Sequence, residues 1–172
     1  RGLRRQWVLL LGHCARAELA APRPETLRPL YPPADRLWAD PFLWSGQGRR
    51  YVFVEELPYA TGRGHISVIE LDAELGPAGP AVPVIEEPHH LSYPFLFRSD
   101  GVLYMVPEKQ EAQRLDLYRC VEFPLRWARE RTLISGMRIA DPTLLEHGGR
   151  WWLLCAVKRR GLRLNESLLA FH

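Results

Sequence analysis

Apolar positions in this chain gather in short runs of four to eight residues rich in Val, Ile, Leu, Tyr, Trp and Phe. Few windows hold a 3.6-residue apolar period for three turns, so the pattern predicts strands rather than helices. The 13 glycines and 15 prolines are spread along the whole length and separate one run from the next. This is an all-β pattern.

The runs recur. One unit reads Trp38-Ala39-Asp40-Pro41-Phe42-Leu43-Trp44, a turn at Gly46 to Gly48, then Tyr51-Val52-Phe53-Val54-Glu55-Glu56. A second reads Ser92-Tyr93-Pro94-Phe95-Leu96-Phe97, a turn at Asp100-Gly101, then Leu103-Tyr104-Met105-Val106-Pro107-Glu108. A third reads Ile139-Ala140-Asp141-Pro142-Thr143-Leu144-Leu145, a turn at Gly148-Gly149, then Trp151-Trp152-Leu153-Leu154-Cys155. Third strands follow at His65 to Glu70, Leu115 to Cys120 and Ser167 to His172, and fourth strands at Val82 to Ile85 and Arg131 to Ile134. A period of about 50 residues with several strands in each repeat predicts a β-propeller. The expected division is blade 1 over 37–87, blade 2 over 88–136 and an incomplete blade 3 over 137–172. A leading strand and a proline-rich connection occupy 1–36. Three blades do not close a ring, so the chain is expected to be a large part of a propeller. The strand Trp7 to Leu11 is the one candidate to complete the third blade, and Arg16 to Asp35, with five prolines, shows no strand pattern.

Composition narrows the function. The charge balance is 23 Lys+Arg against 20 Asp+Glu, a formal +3. The basic pairs Arg4-Arg5, Arg49-Arg50 and Arg159-Arg160 are scattered and make no stripe along a phosphate backbone, so no nucleic-acid partner is expected. No apolar run approaches the ~20 residues of a membrane-spanning helix. Arg1 to Leu11 superficially resembles a signal peptide, but its apolar core is short and is followed by His13-Cys14. Cys14, Cys120 and Cys155 are odd in number and widely spaced, which reads as buried apolar residues in a reducing, cytoplasmic compartment. His89-His90 on a strand would point to opposite faces, and no glycine-rich phosphate loop is present. No metal and no cofactor is therefore expected.

Residues at the start of innermost strands meet at one mouth of a propeller. Here they are Asp40, Tyr93 and Asp141, each preceding the repeat proline. Two readings are open for the aspartates: a converging site, or Asp-Pro turns accepting backbone N–H bonds. Glu55 and Glu108 end the second strands, where the third blade carries Ala156, so the fold does not require the acid. Glu108, after Pro107 in an apolar run, is a candidate general acid if burial raises its pKa, or else a carboxylate paired with arginine. His90, Ser92 and Tyr93, with Glu55 and Glu56, offer donors and acceptors for a sugar, and Trp38 is the candidate stacking surface. A Ser-His-Asp triad can be written from His90, Ser92 and Asp141, but no nucleophile elbow accompanies it.

The stretches Trp38 to Leu43, Tyr51 to Glu56, Gly64 to Val68, His90 to Phe95, Tyr104 to Glu108 and Asp141 to Thr143 together resemble the N-terminal domain of glucosamine inositolphosphorylceramide transferases, from about Trp7 to the end of the chain. The resemblance implies a five-bladed propeller similar to arabinanases, levansucrases and invertases, with roughly two blades outside this chain. In those glycosidases a first-blade Asp acts as base or nucleophile, a later inner-strand Asp tunes the site, and a Glu is the acid. Asp40 matches the first and Asp141 the second. The acid is expected on an inner strand past residue 172, a phase that Glu108 does not share. Glu55, Glu56 and Glu108 all belong to second strands, farther from the axis than Asp40. Glycosyl transfer in that family is expected from a separate C-terminal domain. The functional expectation is a carbohydrate-recognition or accessory module that binds a carbohydrate or glycoconjugate beside further domains of one polypeptide. The alternatives are a glycoside hydrolase or transglycosidase, with Asp40, Asp141 and Glu108 as catalytic candidates, and a structural interaction platform.

Overall fold

The computed structural model describes residues 6–14, 24–159, 161 and 163–172. The expectations placed on Arg1 to Arg5, on Arg16 to Arg23 and on Arg160 lie outside these residues. Among them, thirteen strands form four sheets, all with antiparallel pairing. Strands β3 (Arg36–Gly46), β4 (Arg49–Pro58), β5 (His65–Leu71) and β6 (Val82–Ile85) form the first blade. The second is β7 (Ser92–Ser99), β8 (Val102–Glu108), β9 (Arg114–Glu122) and β10 (Arg126–Ser135). The third is β11 (Ile139–His147), β12 (Arg150–Val157) and β13 (Leu168–Phe171). The first strands β3, β7 and β11 are edge strands that lie against one another, as innermost strands do around a propeller axis.

Turn chemistry repeats with the blades. The tight turns after the innermost strands are Gln47-Gly48, Asp100-Gly101 and Gly148-Gly149, and both central residues have positive φ in every case. This is the two-residue hairpin whose twist matches the strands it joins, which explains the glycines at these points.

Blades bury both faces, so their central strands lose the apolar-polar alternation of a half-exposed sheet. In β4 every residue from Tyr51 to Glu56 is buried. Tyr51 and Phe53 face the second blade, in a core with Ile66, Val68, Leu91, Leu103, Met105 and Tyr118. Phe123 and Trp127 from the second blade meet Tyr51 and Phe53 edge-on, at 5.0 and 5.9 Å between centroids. Val106, Leu115 and Leu117 face the third blade and pack with Ile139, Leu153, Cys155 and Val157.

Strand β1 (Leu9–Leu11) does not complete the third blade. It pairs with β2 (Arg28–Leu30) as a separate ribbon, and Leu9, Leu11 and Leu30 pack on Val52, Val54 and Ile69 of the first blade. Thus β2 lies in the proline-rich segment that shows no strand pattern. A two-stranded ribbon is all edge, which is where a strand tolerates Pro29. The cysteines also divide: Cys155 is buried and Cys120 half-buried, but Cys14 is exposed because it follows the ribbon rather than entering a core. No helix among the described residues is long and apolar enough to cross a membrane.

Candidate functional site

Each innermost strand breaks its register at the repeat proline. Ala39 faces Glu55 and the next paired residue, Phe42, faces Phe53, so Asp40 and Pro41 together stand opposite one residue of β4. The same skip occurs at Tyr93-Pro94 in β7 and Asp141-Pro142 in β11. These are β-bulges. Their first residues have φ of 49°, 47° and 52°, a left-handed conformation that side chains rarely adopt. The proline in second place has no N–H to lose from the ladder. The strain costs on the order of 1–3 kcal/mol per residue and persists only where surrounding contacts over-determine it.

Carboxylates from the preceding blade supply those contacts. The Tyr93 N–H donates to Asp40 Oδ2 at 3.1 Å, and the Asp141 N–H donates to Glu108 Oε2 at 3.0 Å. Both bonds run between blades: the Asp40 carboxylate accepts from the next blade, and Asp141 takes part as the backbone donor. Tyr93 extends the chain of contacts, with its hydroxyl 2.9 Å from Thr143 Oγ1 and its ring edge-on to Phe42 at 5.1 Å. Among the described residues Glu108 pairs with no arginine; it also accepts a hydrogen bond from Gln110 Nε2 at 3.1 Å. Although it belongs to a second strand, its carboxylate reaches the innermost strand of the next blade.

Glu55 Oε1 lies 3.1 Å from His90 Nε2, and His90 Nδ1 accepts the Gly64 N–H at 3.0 Å. Glu55 draws the His90 pKa above its ordinary value, while the Gly64 amide hydrogen aimed at Nδ1 opposes a second proton. Gly64 is required by space: a Cβ there would sit 2.7 Å from the Leu91 carbonyl oxygen and 2.8 Å from His90 Cε1. Gly64→Ala is expected to lower stability by about 1–3 kcal/mol and to push His90 off Glu55. Thermal melting together with the His90 imidazole NMR shift checks this; an unchanged shift would count against it.

Electrostatics couple the group. Burial pushes the Asp40 carboxyl above its usual range, and the charges of Glu55 and Asp141 push the same way. Burial also raises Glu108, helped by Asp141 and Asp40. Asp40, Glu55, Glu108 and Asp141 thus share one region with His90.

Two expected site residues, Trp38 and Glu56, are placed elsewhere, and a third, Ser92, is buried beside Glu108. Trp38 is only 4% exposed, packed with Leu9, Leu11 and Leu30 under the ribbon, so it offers no stacking face. Glu56 is 1% exposed and accepts hydrogen bonds from Arg36 Nη1, at 2.7 Å, and from Ser67 Oγ. Successive residues on a strand point to opposite faces, which sends Glu56 away from Glu55 and His90. Ser92 is buried opposite Glu108 in the register. One residue that the motifs did not single out, Trp7, borders the region: a cavity of about 520 Å³ is lined by Asp40 and Glu55 on one side and Trp7 on the other.

Residues 32–172 match the family described as glucosamine inositolphosphorylceramide transferase 1, N-terminal. The chain belongs to this family. The match begins after the ribbon, so Trp7 to Tyr31, included in the expected resemblance, lie outside it. The glucosamine inositolphosphorylceramide transferase 1 of Oryza sativa subsp. japonica is 35% identical over 132 residues, 76% of this chain and 18% of that protein. Its counterpart in Arabidopsis thaliana is 38% identical over 119 residues, 67% of this chain and 15% of that protein. This member of the family therefore spans less than a fifth of either relative's length. Among solved structures, an α-L-arabinofuranosidase from Lactobacillus brevis superposes with a TM-score of 0.65 at 10% identity, covering 86% of this chain and 56% of that one. An exo-1,5-α-L-arabinanase from a bovine ruminal metagenomic library gives 0.56 at 13% identity, covering 85% and 57%. These likenesses show the fold: three blades of a propeller of the five-bladed type.

Proposed function

We propose that this chain is a carbohydrate-recognition module within a larger glycoconjugate-modifying, glycosyltransferase-associated polypeptide. A sugar would be held where the innermost strands bring Asp40, Tyr93 and Asp141 together, with Glu108 and the Glu55-His90 pair beside them. Binding rather than hydrolysis is supported by one observation: Asp40 and Glu108 are both pushed upward, first by burial and then by neighbouring carboxylates, Glu55 and Asp141 for Asp40, and Asp141 and Asp40 for Glu108. Acid-base division of labour needs two carboxyl groups pushed apart, one kept protonated and one kept ionised. Asp40 and Asp141 then serve as hydrogen-bond acceptors for sugar hydroxyls, held in place by the bulges. The raised Glu108 is what favours the second reading, a glycosidase in which it donates the proton.

The test uses the full-length polypeptide, with calorimetry on methyl glycosides beside turnover of aryl glycosides. Asp40→Asn keeps a carbonyl for the Tyr93 N–H and removes a charge that burial opposes. It is expected to melt no lower than wild type at pH 7 and to bind at least about ten-fold more weakly. Neither protein is expected to turn over the aryl glycosides. Turnover that Asp40→Asn abolishes while binding persists would overturn the proposal in favour of the glycosidase.

A further inference from the structure

The cavity beside Asp40 has one wall from the first blade and one from the N-terminal ribbon. Its blade wall is the bulge Asp40-Pro41 with Glu55, and its ribbon wall is the stretch from Trp7 to Leu10. Trp7 is 68% exposed, and Leu10 is 52% exposed. A large indole left in solvent is worth explaining when it borders a cavity with ordered polar groups. Trp7 lies two residues before the ribbon strand, which is fixed, since Leu9 and Leu11 are buried against Val52, Val54, Ile69 and Trp38. The carboxylates opposite are fixed as well, Asp40 by the Tyr93 amide and Glu55 by His90. Each carboxylate has acceptor capacity beyond the one bond described.

Building on the carbohydrate reading above, we infer that Trp7 is the stacking residue of a monosaccharide subsite in this cavity. A sugar ring has an apolar C–H face and a hydroxyl rim. The indole complements the first, and Asp40 and Glu55, across the cavity, complement the second. The volume, about 520 Å³, lies within the range of small-ligand pockets and takes one ring with room for its neighbour. Trp38, the tryptophan nearest to Asp40 in sequence, cannot serve because the ribbon buries it; the segment leading into the same ribbon supplies the exposed indole instead. Trp7 lies outside the 32–172 stretch that matches the family.

The test is calorimetric titration of the full-length polypeptide with methyl glycosides of D-glucose, D-galactose, D-xylose, L-arabinose and D-glucosamine. The proteins are wild type, Trp7→Ala, Trp7→Phe and Asp40→Asn. For the glycoside that binds wild type, Trp7→Ala is expected to weaken binding about ten-fold and Trp7→Phe less than about three-fold, since a phenyl ring keeps most of the stacking face. Melting temperatures should stay together, because Trp7 is exposed. Binding by Trp7→Ala equal to wild type, with binding lost in Asp40→Asn, overturns the Trp7 assignment and leaves the carbohydrate reading intact. Absence of saturable binding by wild type to any of the five overturns both. A wild-type self-association that Trp7→Ala abolishes, seen by sedimentation, also overturns the assignment, since the indole would then be an interface between copies.

Discussion

Lys109→Met is expected to destabilise the fold by about 3–5 kcal/mol, as removal of one partner from a buried ionic cluster does. Lys109 is 1% exposed. Its Nζ donates to Asp116 Oδ2 at 2.7 Å, to the Tyr118 hydroxyl at 3.0 Å and to Glu87 Oε1 at 3.3 Å. Glu87 lies in the connection between the first two blades, whereas Asp116 and Tyr118 lie on β9. One ammonium therefore ties the blade connection to the middle of the second blade, directly after Glu108. Without it, Asp116 keeps Thr132 and Arg114 as donors, but Glu87 and the Tyr118 hydroxyl lose their shared cation. Urea unfolding measures the loss, and a change below about 1 kcal/mol would refute the account. The double substitution Lys109→Met with Glu87→Gln should recover part of the stability, because it removes the charge left without its counterpart.

Glu56→Gln is expected to cost about 3 kcal/mol at neutral pH and almost nothing near pH 2. Burial alone would raise the Glu56 pKa, but the His65 ring 3.4 Å away and the hydrogen bonds from Arg36 and Ser67 outweigh it and hold the carboxyl at about 2, against a model-peptide value of 4.5. A folded-state pKa below the unfolded one stabilises above the unfolded value, and that contribution is lost as pH falls through the folded value. The window therefore runs from about pH 5 down to about pH 2. Asp40 and Glu108 carry the opposite sign: their raised values penalise the fold once pH rises past them and relieve it in acid. Unfolding free energies for wild type and Glu56→Gln across pH 2–7 should converge toward acid. Parallel curves would show that Glu56 is held in place by packing rather than by its charge.

Much of the fold was legible because its determinants are local. Runs of β-branched and aromatic residues specified strands, and the pairs Asp100-Gly101 and Gly148-Gly149 specified turns. Three prolines at one phase specified three equivalent innermost strands. The residue before each proline adopts the same left-handed bulge in all three innermost strands. The candidate site was less legible. Glu55 and Glu56 are adjacent, both buried, and sent to different partners on opposite faces; a strand buried on both sides has no alternation to report which face is which.

Sequence by itself determined the all-β class, the repeat and the phase of Asp40, Tyr93 and Asp141, because each follows from short-range propensity and turn chemistry. Tertiary structure alone decided that Asp40 holds the amide of Tyr93, 53 residues away, and that Glu108 holds that of Asp141, 33 residues away. It also decided that the ribbon buries Trp38 and exposes Trp7. These are contacts between separately folded sheets. Which side chain meets which depends on how the blades and the ribbon stack, and no local pattern in the chain encodes that angle or distance.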